Sequence, residues 1–379
     1  MNKCATKLRE LIEITFENVQ EITSKAMNLS RKKFISDCSL AIMDSRSVQF
    51  SEIAMSMIGS AKEDSKLRRI QNFMADYEID YYQIACFILL LLPPKTKLKL
   101  CLDRTNWKFG QTNHNVLALC VYCHGVGIPI WYEMLDKAGN SQSDERMFLI
   151  LEVLQTIDAR NIDVIIADRE FIGEQWIQFL LEHKLPFIIR IRANQWITID
   201  GQAIQLSTLT KGKRKFSLDN VYIFGAYLSI SAKKQNKEWV ILVTNIETQK
   251  AMPWYRKRWS IEVMFQSFKT RGFRLESSHL TDTTRFRKLF AICSIAFTLC
   301  VVTGVIRHKK KPIKVKNHGY KAKSFFRHGL DFFRRHFKQN LDISVIFKEL
   351  QVKFMKSWFQ EFSLGNHCSS LLLADVPLR

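Results

Sequence analysis

Apolar residues recur at helical spacing through the first 95 residues, with few glycines and no strand-like alternation, until Pro93-Pro94 interrupts the pattern. Residues 1–95 are therefore expected to form a helical domain. Within it, Ser51 to Met57, the Gly59-Ser60 break and Lys66 to Phe73 read as helix, turn, helix. The second helix would carry Lys66, Arg68, Arg69 and Asn72 on its polar sides, which suits phosphate contact and base reading but equally suits a plain bundle with a charged face. From Lys97 the period changes. Strands are predicted near 97–103, 116–124 and 127–133, a helix near 143–157, a strand at 163–168, a helix near 171–183 and a strand at 186–192. Gly125-Val126-Gly127 is placed to join the second and third strands as a tight hairpin. Short β-rich runs follow between Gln195 and Asn245, punctuated by Asp200-Gly201 and other turn signals, so 193–250 reads as a β-rich insertion. Helical periodicity returns from 251. It includes an uncharged apolar stretch, Leu289 to Ile306, at the lower edge of membrane-spanning length. A core helix that is apolar all round accounts for it equally well, and no other stretch supports a membrane protein.

Composition adds a partner. The 379 residues suffice for two or three domains, and 57 Lys and Arg against 36 Asp and Glu leave a formal charge of +21. A polyanion is the natural counterpart, because each phosphate neutralised by a basic side chain releases counterions. Charge alone does not exclude a merely basic soluble protein. Residues 307–379 are expected to be a basic helical C-terminal region, in which Phe325, Phe326, Phe332, Phe333 and Phe337 interleave with Arg327, Arg334 and Arg335. That reads as an amphipathic helix lying on DNA or on a partner subunit. Nine scattered cysteines and no secretory signal point to reduced thiols in a cytoplasm. Cys120-Val121-Tyr122-Cys123-His124 matches a haem-attachment pattern, but it lies in a run that reads as a buried strand, and such attachment requires export.

Candidate chemistry concentrates near the third quarter of the chain. Arg258, Glu262 and Lys269 follow Tyr255 at offsets of three, seven and fourteen. On a continuous α-helix those offsets fall within roughly 60° of one another. Trp254, Ile261, Phe265 and Phe268 fall on the adjoining stripe, so the helix would bury one side and present the polar row to a cleft. An ordinary i, i+4 pair between Arg258 and Glu262 on a surface helix is the plainer reading. Two aspartates, Asp103 and Asp168, each follow an apolar strand-like run, Lys97 to Leu102 and Val164 to Ala167. Carboxylates at strand ends point into the crevice of an α/β sheet. Asp103, Asp168 and Glu262 are thus candidates for one acidic cluster. Three carboxylates with no soft ligand favour Mg²⁺ or Mn²⁺ over zinc.

Three ordered blocks, Asp103-Arg104-Thr105-Asn106-Trp107, Ala167-Asp168-Arg169-Glu170-Phe171 and the Tyr255, Arg258, Glu262, Lys269 row, resemble the signatures of DDE transposases of the insertion-sequence-four family. The likeness runs from about Lys97 to Leu280. It implies an α/β fold: a ribonuclease H-like core (96–192 and 251–306) interrupted by the β-rich insertion, with helical regions at both ends. It further implies two Mg²⁺ or Mn²⁺ ions per active site on Asp103, Asp168 and Glu262, with Tyr255, Arg258 and Lys269 on phosphates. Thr105 and Trp107 would brace the first strand, while Arg169 and Glu170 are as readily structural as catalytic. By the same resemblance the N-terminal domain recognises the element's terminal inverted repeats, and the insertion contacts the transposon end, where Trp196 or Trp239 would stack on a displaced base or else fill the insertion's own core. Double-stranded DNA and a homodimer in the synaptic complex are the expected partners, in a cytoplasmic, nucleoid-associated protein. The implied reaction is cut-and-paste transposition, which in such families can pass through a DNA hairpin. The alternatives are an inactive DNA-binding regulator of the same descent, another ribonuclease H-like nuclease, and a membrane-anchored protein using 289–306.

Overall fold

The computed structural model describes residues 2–93, 97–317, 319–344 and 346–350. Helices come first: α1 (Lys3–Thr23), α2 (Leu29–Ser45), α3 (Phe50–Ser56), α4 (Glu63–Asp76) and α5 (Tyr81–Leu91). Leu8, Leu11, Ile12, Phe16 and Val19 make the buried stripe of α1, whose first turn is capped by Asn2 accepting from the Ala5 N–H at 3.2 Å. Asp80 caps α5 in the same way, accepting from Tyr82 at 3.0 Å. Strands β1 (Leu98–Phe109), β2 (Thr112–Cys123) and β3 (Val126–Leu135) follow, then α6 (Ser143–Leu154), β4 (Ile162–Ala167), α7 (Glu174–Glu182) and β5 (Phe187–Ile191). Next come β6 (Trp196–Ile199), β7 (Gln202–Gln205), the one-turn α8 (Leu206–Leu209), β8 (Lys215–Ile223), β9 (Ala226–Gln235) and β10 (Glu238–Thr244). The chain continues through α9 (Thr248–Tyr255), α10 (Trp259–Gln266), α11 (Thr283–Lys310) and α12 (Phe325–Gln339). The fold is mixed α/β, with helices flanking the sheet strands at both ends of the chain.

The described residues divide into two compact units. The first takes 2–93, 101–140 and 257–350, the second 97–100 and 141–256. In the first, β1, β2 and β3 lie side by side in that order. The β2–β3 hairpin turns on His124 and Gly125, both at positive φ, with Cys123 paired to Val126. Two positive-φ residues in a two-residue loop match the right-handed twist of the strands. The turn thus precedes the expected Gly125-Val126-Gly127, because His124 accepts the left-handed conformation and Val126 already pairs. β1 also runs six residues past its expected end, to Phe109. Thr105, Trp107 and Phe109 are buried while Asn106 and Lys108 are exposed, a two-residue alternation that continues the strand. Asp103 therefore sits inside β1 and not at its end.

Helix α11 has the length and apolarity to cross a membrane, but every residue from Leu289 to Ile306 is buried inside the first unit. α12 packs against it at Gly304 and Gly329, where an added Cβ would collide with the facing backbone of Phe325 and Cys300. Phe325, Phe326, Phe332 and Phe333 are buried, with Phe326 4.8 Å from Phe297. The amphipathic C-terminal helix therefore exists, but its phenylalanine face is covered by the chain's own core and not by DNA or a partner. The expected basic region beyond residue 350 lies outside the described residues.

In the second unit β4 and β5 are parallel, and β10 pairs antiparallel with β5. The order continues β10, β9, β8, β6, β7, so the strands of 193–250 extend the sheet that β4 and β5 begin. The β6–β7 hairpin turns on Asp200 and Gly201, both at positive φ.

Candidate active site

In the first unit Asp103 is 8 % exposed. Its Oδ1 accepts from the Arg104 N–H at 2.8 Å, and its Oδ2 accepts from Arg258 Nη1 at 2.6 Å. The same Nη1 lies 3.5 Å from Glu262 Oε1, in the first turn of α10. One guanidinium thus stands between carboxylates from a strand and a helix, and a charge-assisted bond this short is among the stronger polar contacts a fold makes. The docking of α10 on the strands sets that geometry. The Cys101 thiol donates to the Lys257 carbonyl at 3.5 Å and lies 3.6 Å from Ser260 Oγ. Gly127 of β3 leaves room for the helix, since a Cβ there would meet Ile261 Cα at 3.0 Å and the Ser260 carbonyl at 3.1 Å. Burial pushes the Cys101 thiol up to about 12 against the opposing pull of the Ser260 hydrogen bond.

Lys269 lies further along, in a wide π-type turn (Ser267–Arg271) where its own ψ of −119° is not helical. Its ammonium sits 5.0 Å from the ring of Trp107, which is buried among Phe265, Phe286 and Phe290. Burial lowers the Lys269 pKa below the ordinary lysine value, and Glu276 and Glu262 pull the other way. Arg104, beside Asp103, donates to the side-chain oxygens of Asn106, Asn115 and Asn140 at 3.2–3.3 Å.

In the second unit Asp168 directly follows β4, as expected. Its Oδ1 accepts from the Arg169 N–H at 2.8 Å and from the Tyr255 hydroxyl at 3.1 Å. Tyr255 ends α9, whose interior holds Pro253. A 3₁₀ turn, Arg256–Arg258, separates it from α10. A 3₁₀ turn and a wide π-type turn thus interrupt the single α-helix expected for Tyr255, Arg258, Glu262 and Lys269. Arg258 and Glu262 stay paired, and Glu262 also acts on the Lys269 ammonium. Ile261, Phe265 and Phe268 are buried as the apolar stripe predicts, while Trp254 is half-buried beneath Lys99, whose ammonium is 3.9 Å from its ring. Among the described residues no three His, Cys, Asp or Glu side chains form a ready-made metal group.

The N-terminal candidates separate. Arg68, Arg69 and Asn72 are exposed on α4 and line a groove of about 520 Å³ with Arg31, Phe34 and Ser65. Arg69 is also 3.8 Å from the buried Asp37. Lys66 is different, since its ammonium donates to the Met57 carbonyl at 2.7 Å, satisfying an acceptor at the end of α3. Trp196 is 63 % exposed at the start of β6, whereas Trp239 is half-buried, 5.6 Å from Phe216. Cys120 and Cys123 are buried in β2. Sequence reasoning missed Gly127, Ser260 and the buried Arg146 of α6. Arg146 alone left a trace, as a charge on the apolar side of a helix.

Residues 94–299 match the transposase DDE domain. The chain belongs to this family. It is thus a transposase-type enzyme, and DNA is the substrate class of such enzymes. Among solved structures it is similar to the piggyBac transposase in a synaptic complex with hairpin DNA, at 12 % identity and a TM-score of 0.47, covering 93 % of this chain and 84 % of that one. It is also similar to endonuclease V from Bacillus subtilis, at 12 % identity and a TM-score of 0.25, covering 61 % of this chain and 94 % of that one. No curated protein sequence matches it.

Proposed function

We propose that this DDE-family chain cuts double-stranded DNA at the terminal inverted repeats of an insertion sequence and joins the freed 3′ ends to target DNA. The observation that carries this reading is the Arg258 guanidinium held between Asp103 and Glu262. Two carboxylates on separate elements here require one shared positive charge, and their all-oxygen donor set fits a hard divalent cation. Asp103 and Glu262, with Asp168, are the residues that would hold Mg²⁺ or Mn²⁺. When bound, two such ions activate the attacking oxygen, stabilise the leaving oxygen and neutralise the phosphate.

The chain's own groups do the rest. Arg258 exchanges its carboxylate partners for phosphate oxygens, which its planar fork matches. Lys269, half-buried and weakly compensated, binds a second phosphate. Tyr255 donates its one hydroxyl proton to the Asp168 carboxylate, and with that carboxylate engaged by an ion it would donate instead to a phosphate near the scissile bond. Arg68, Arg69 and Asn72 contact the terminal repeat along the α4 groove, and exposed Trp196 stacks on a displaced base. Tyr255, Arg258, Glu262 and Lys269 support assignment to the insertion-sequence-four group, and with that assignment we propose a cut-and-paste reaction with a hairpin step, a homodimer at synapsis and a cytoplasmic, nucleoid-associated protein. The test replaces Asp103, Asp168 and Glu262 singly with Ala and follows cleavage and 3′-end joining of a terminal-repeat duplex with Mg²⁺. Loss of both steps in all three folded variants is expected. Near-parental cleavage by any one removes that acid from the site.

A further inference from the structure

Arg146, in the first turn of α6, is 4 % exposed and lies entirely within the second unit. Nothing in the chemistry above uses it, yet a buried guanidinium is costly unless its donors are engaged. They are engaged by two features, the loop that carries Asp168 and Ser141 just before α6. Nη1 donates to the Ile172 carbonyl at 3.3 Å and Nη2 to the Glu170 carbonyl at 2.9 Å. Nε donates to Ser141 Oγ at 2.9 Å, and Nη2 also bonds the Ser141 carbonyl just before α6. The guanidinium carbon lies 5.2 Å from the Phe171 ring, which is fully buried. The loop, Asp168 to Gly173, runs between β4 and α7 with one backbone turn of its own, Phe171 N–H to the Asp168 carbonyl at 3.0 Å.

We propose that Arg146 is a positioning residue that fixes the backbone of this loop and so aims the Asp168 carboxylate. The proposal rests on the reading of Asp168 as a metal-holding acid. A guanidinium suits the task because its rigid fork serves carbonyls two residues apart at once, which an ammonium cannot reproduce. Residues that orient metal ligands typically contribute 10- to 100-fold to metal affinity or activity.

The experiment compares Arg146→Met, Arg146→Lys and Asp168→Ala in the full chain by amide hydrogen exchange over 169–172 and by cleavage of a terminal-repeat duplex across a Mg²⁺ titration. Arg146→Met is expected to speed exchange of those amides by about tenfold or more and to lower cleavage by about 10- to 100-fold, with half-saturation moved to higher Mg²⁺ and KM for DNA unchanged. Arg146→Lys should fall between that variant and the parent. Parental exchange and parental Mg²⁺ dependence in Arg146→Met, beside an inactive Asp168→Ala, overturn the positioning role alone. An active Asp168→Ala overturns the reading of the site and this inference with it. If Arg146→Met and Arg146→Lys both fail to fold, Arg146 supports the whole unit and not one loop, and the proposal is wrong.

Discussion

Replacing Arg258 with Met removes the charge shared by Asp103 and Glu262, and its cost follows from how far each partner is buried. The Arg258 and Asp103 side chains are 14 % and 11 % exposed, and their contact is 2.6 Å. Breaking a buried pair from one side costs about 3–5 kcal/mol. The lower end, about 3 kcal/mol, applies because the Arg104 N–H still donates to Asp103. Glu262 is 34 % exposed and more distant, so its share is about 0.5 kcal/mol. With Asp103→Asn already in place, Arg258→Met should cost only about 1 kcal/mol, leaving a coupling near 2 kcal/mol, within the range for directly bonded partners. The assay is a double-mutant cycle in urea unfolding, read by tryptophan fluorescence without divalent ions. Adding Mg²⁺ should then restore part of the loss in Arg258→Met, since an ion that binds the folded form stabilises it. A coupling below about 0.5 kcal/mol, or no Mg²⁺ effect on Arg258→Met, refutes the shared-charge argument.

Other residues make separate predictions. Lys269→Met should leave stability equal or higher while lowering cleavage, because burial already disfavours the ammonium. By the same sign the lysine's contribution to stability improves as pH rises through its lowered pKa, and a fall in thermal stability of Lys269→Met at neutral pH contradicts this. Cys101, at about 12 and buried, should resist iodoacetamide in the folded protein at pH 8, and mass spectrometry showing its rapid alkylation would contradict the packing of α10. Gly127→Ala inserts a methyl against the α10 backbone, so a loss of about 1–3 kcal/mol and weaker cleavage are expected. A neutral Gly127→Ala variant would show that α10 does not need that close approach.

Much of the layout was legible because it rests on local pattern. The strands and helices from Lys97 to Ile191 follow their apolar periods, and Asp168 ends β4 as the run before it requires. The apolar stretch from Leu289 to Ile306 pointed to α11 but left a core helix and a membrane span both open, and its complete burial is what separates them. The polar row was less so. A uniform helical advance cannot anticipate the 3₁₀ turn after Tyr255 or the π-type turn at Lys269, which bracket the segment that packs on Gly127. The extension of β1 was visible in the alternation of Thr105, Trp107 and Phe109, but the acid at 103 drew the boundary too early. The fate of the phenylalanines on α12 turned on Gly304 and Gly329, whose pairing spans distant sequence. Arg146 shows the same limit, as its acceptors in the Asp168 loop are backbone carbonyls that no residue type announces.

The central claim is that Asp103, Asp168 and Glu262 hold hard divalent cations, and metal-directed backbone cleavage tests it most directly. Fe²⁺ substituted for Mg²⁺, with ascorbate and peroxide, cuts the polypeptide only next to the bound ion. Cuts at the backbone around residues 103, 168 and 262, suppressed by excess Mg²⁺, are the predicted result. Cuts that spare any of these three positions, or that Mg²⁺ does not suppress, contradict it.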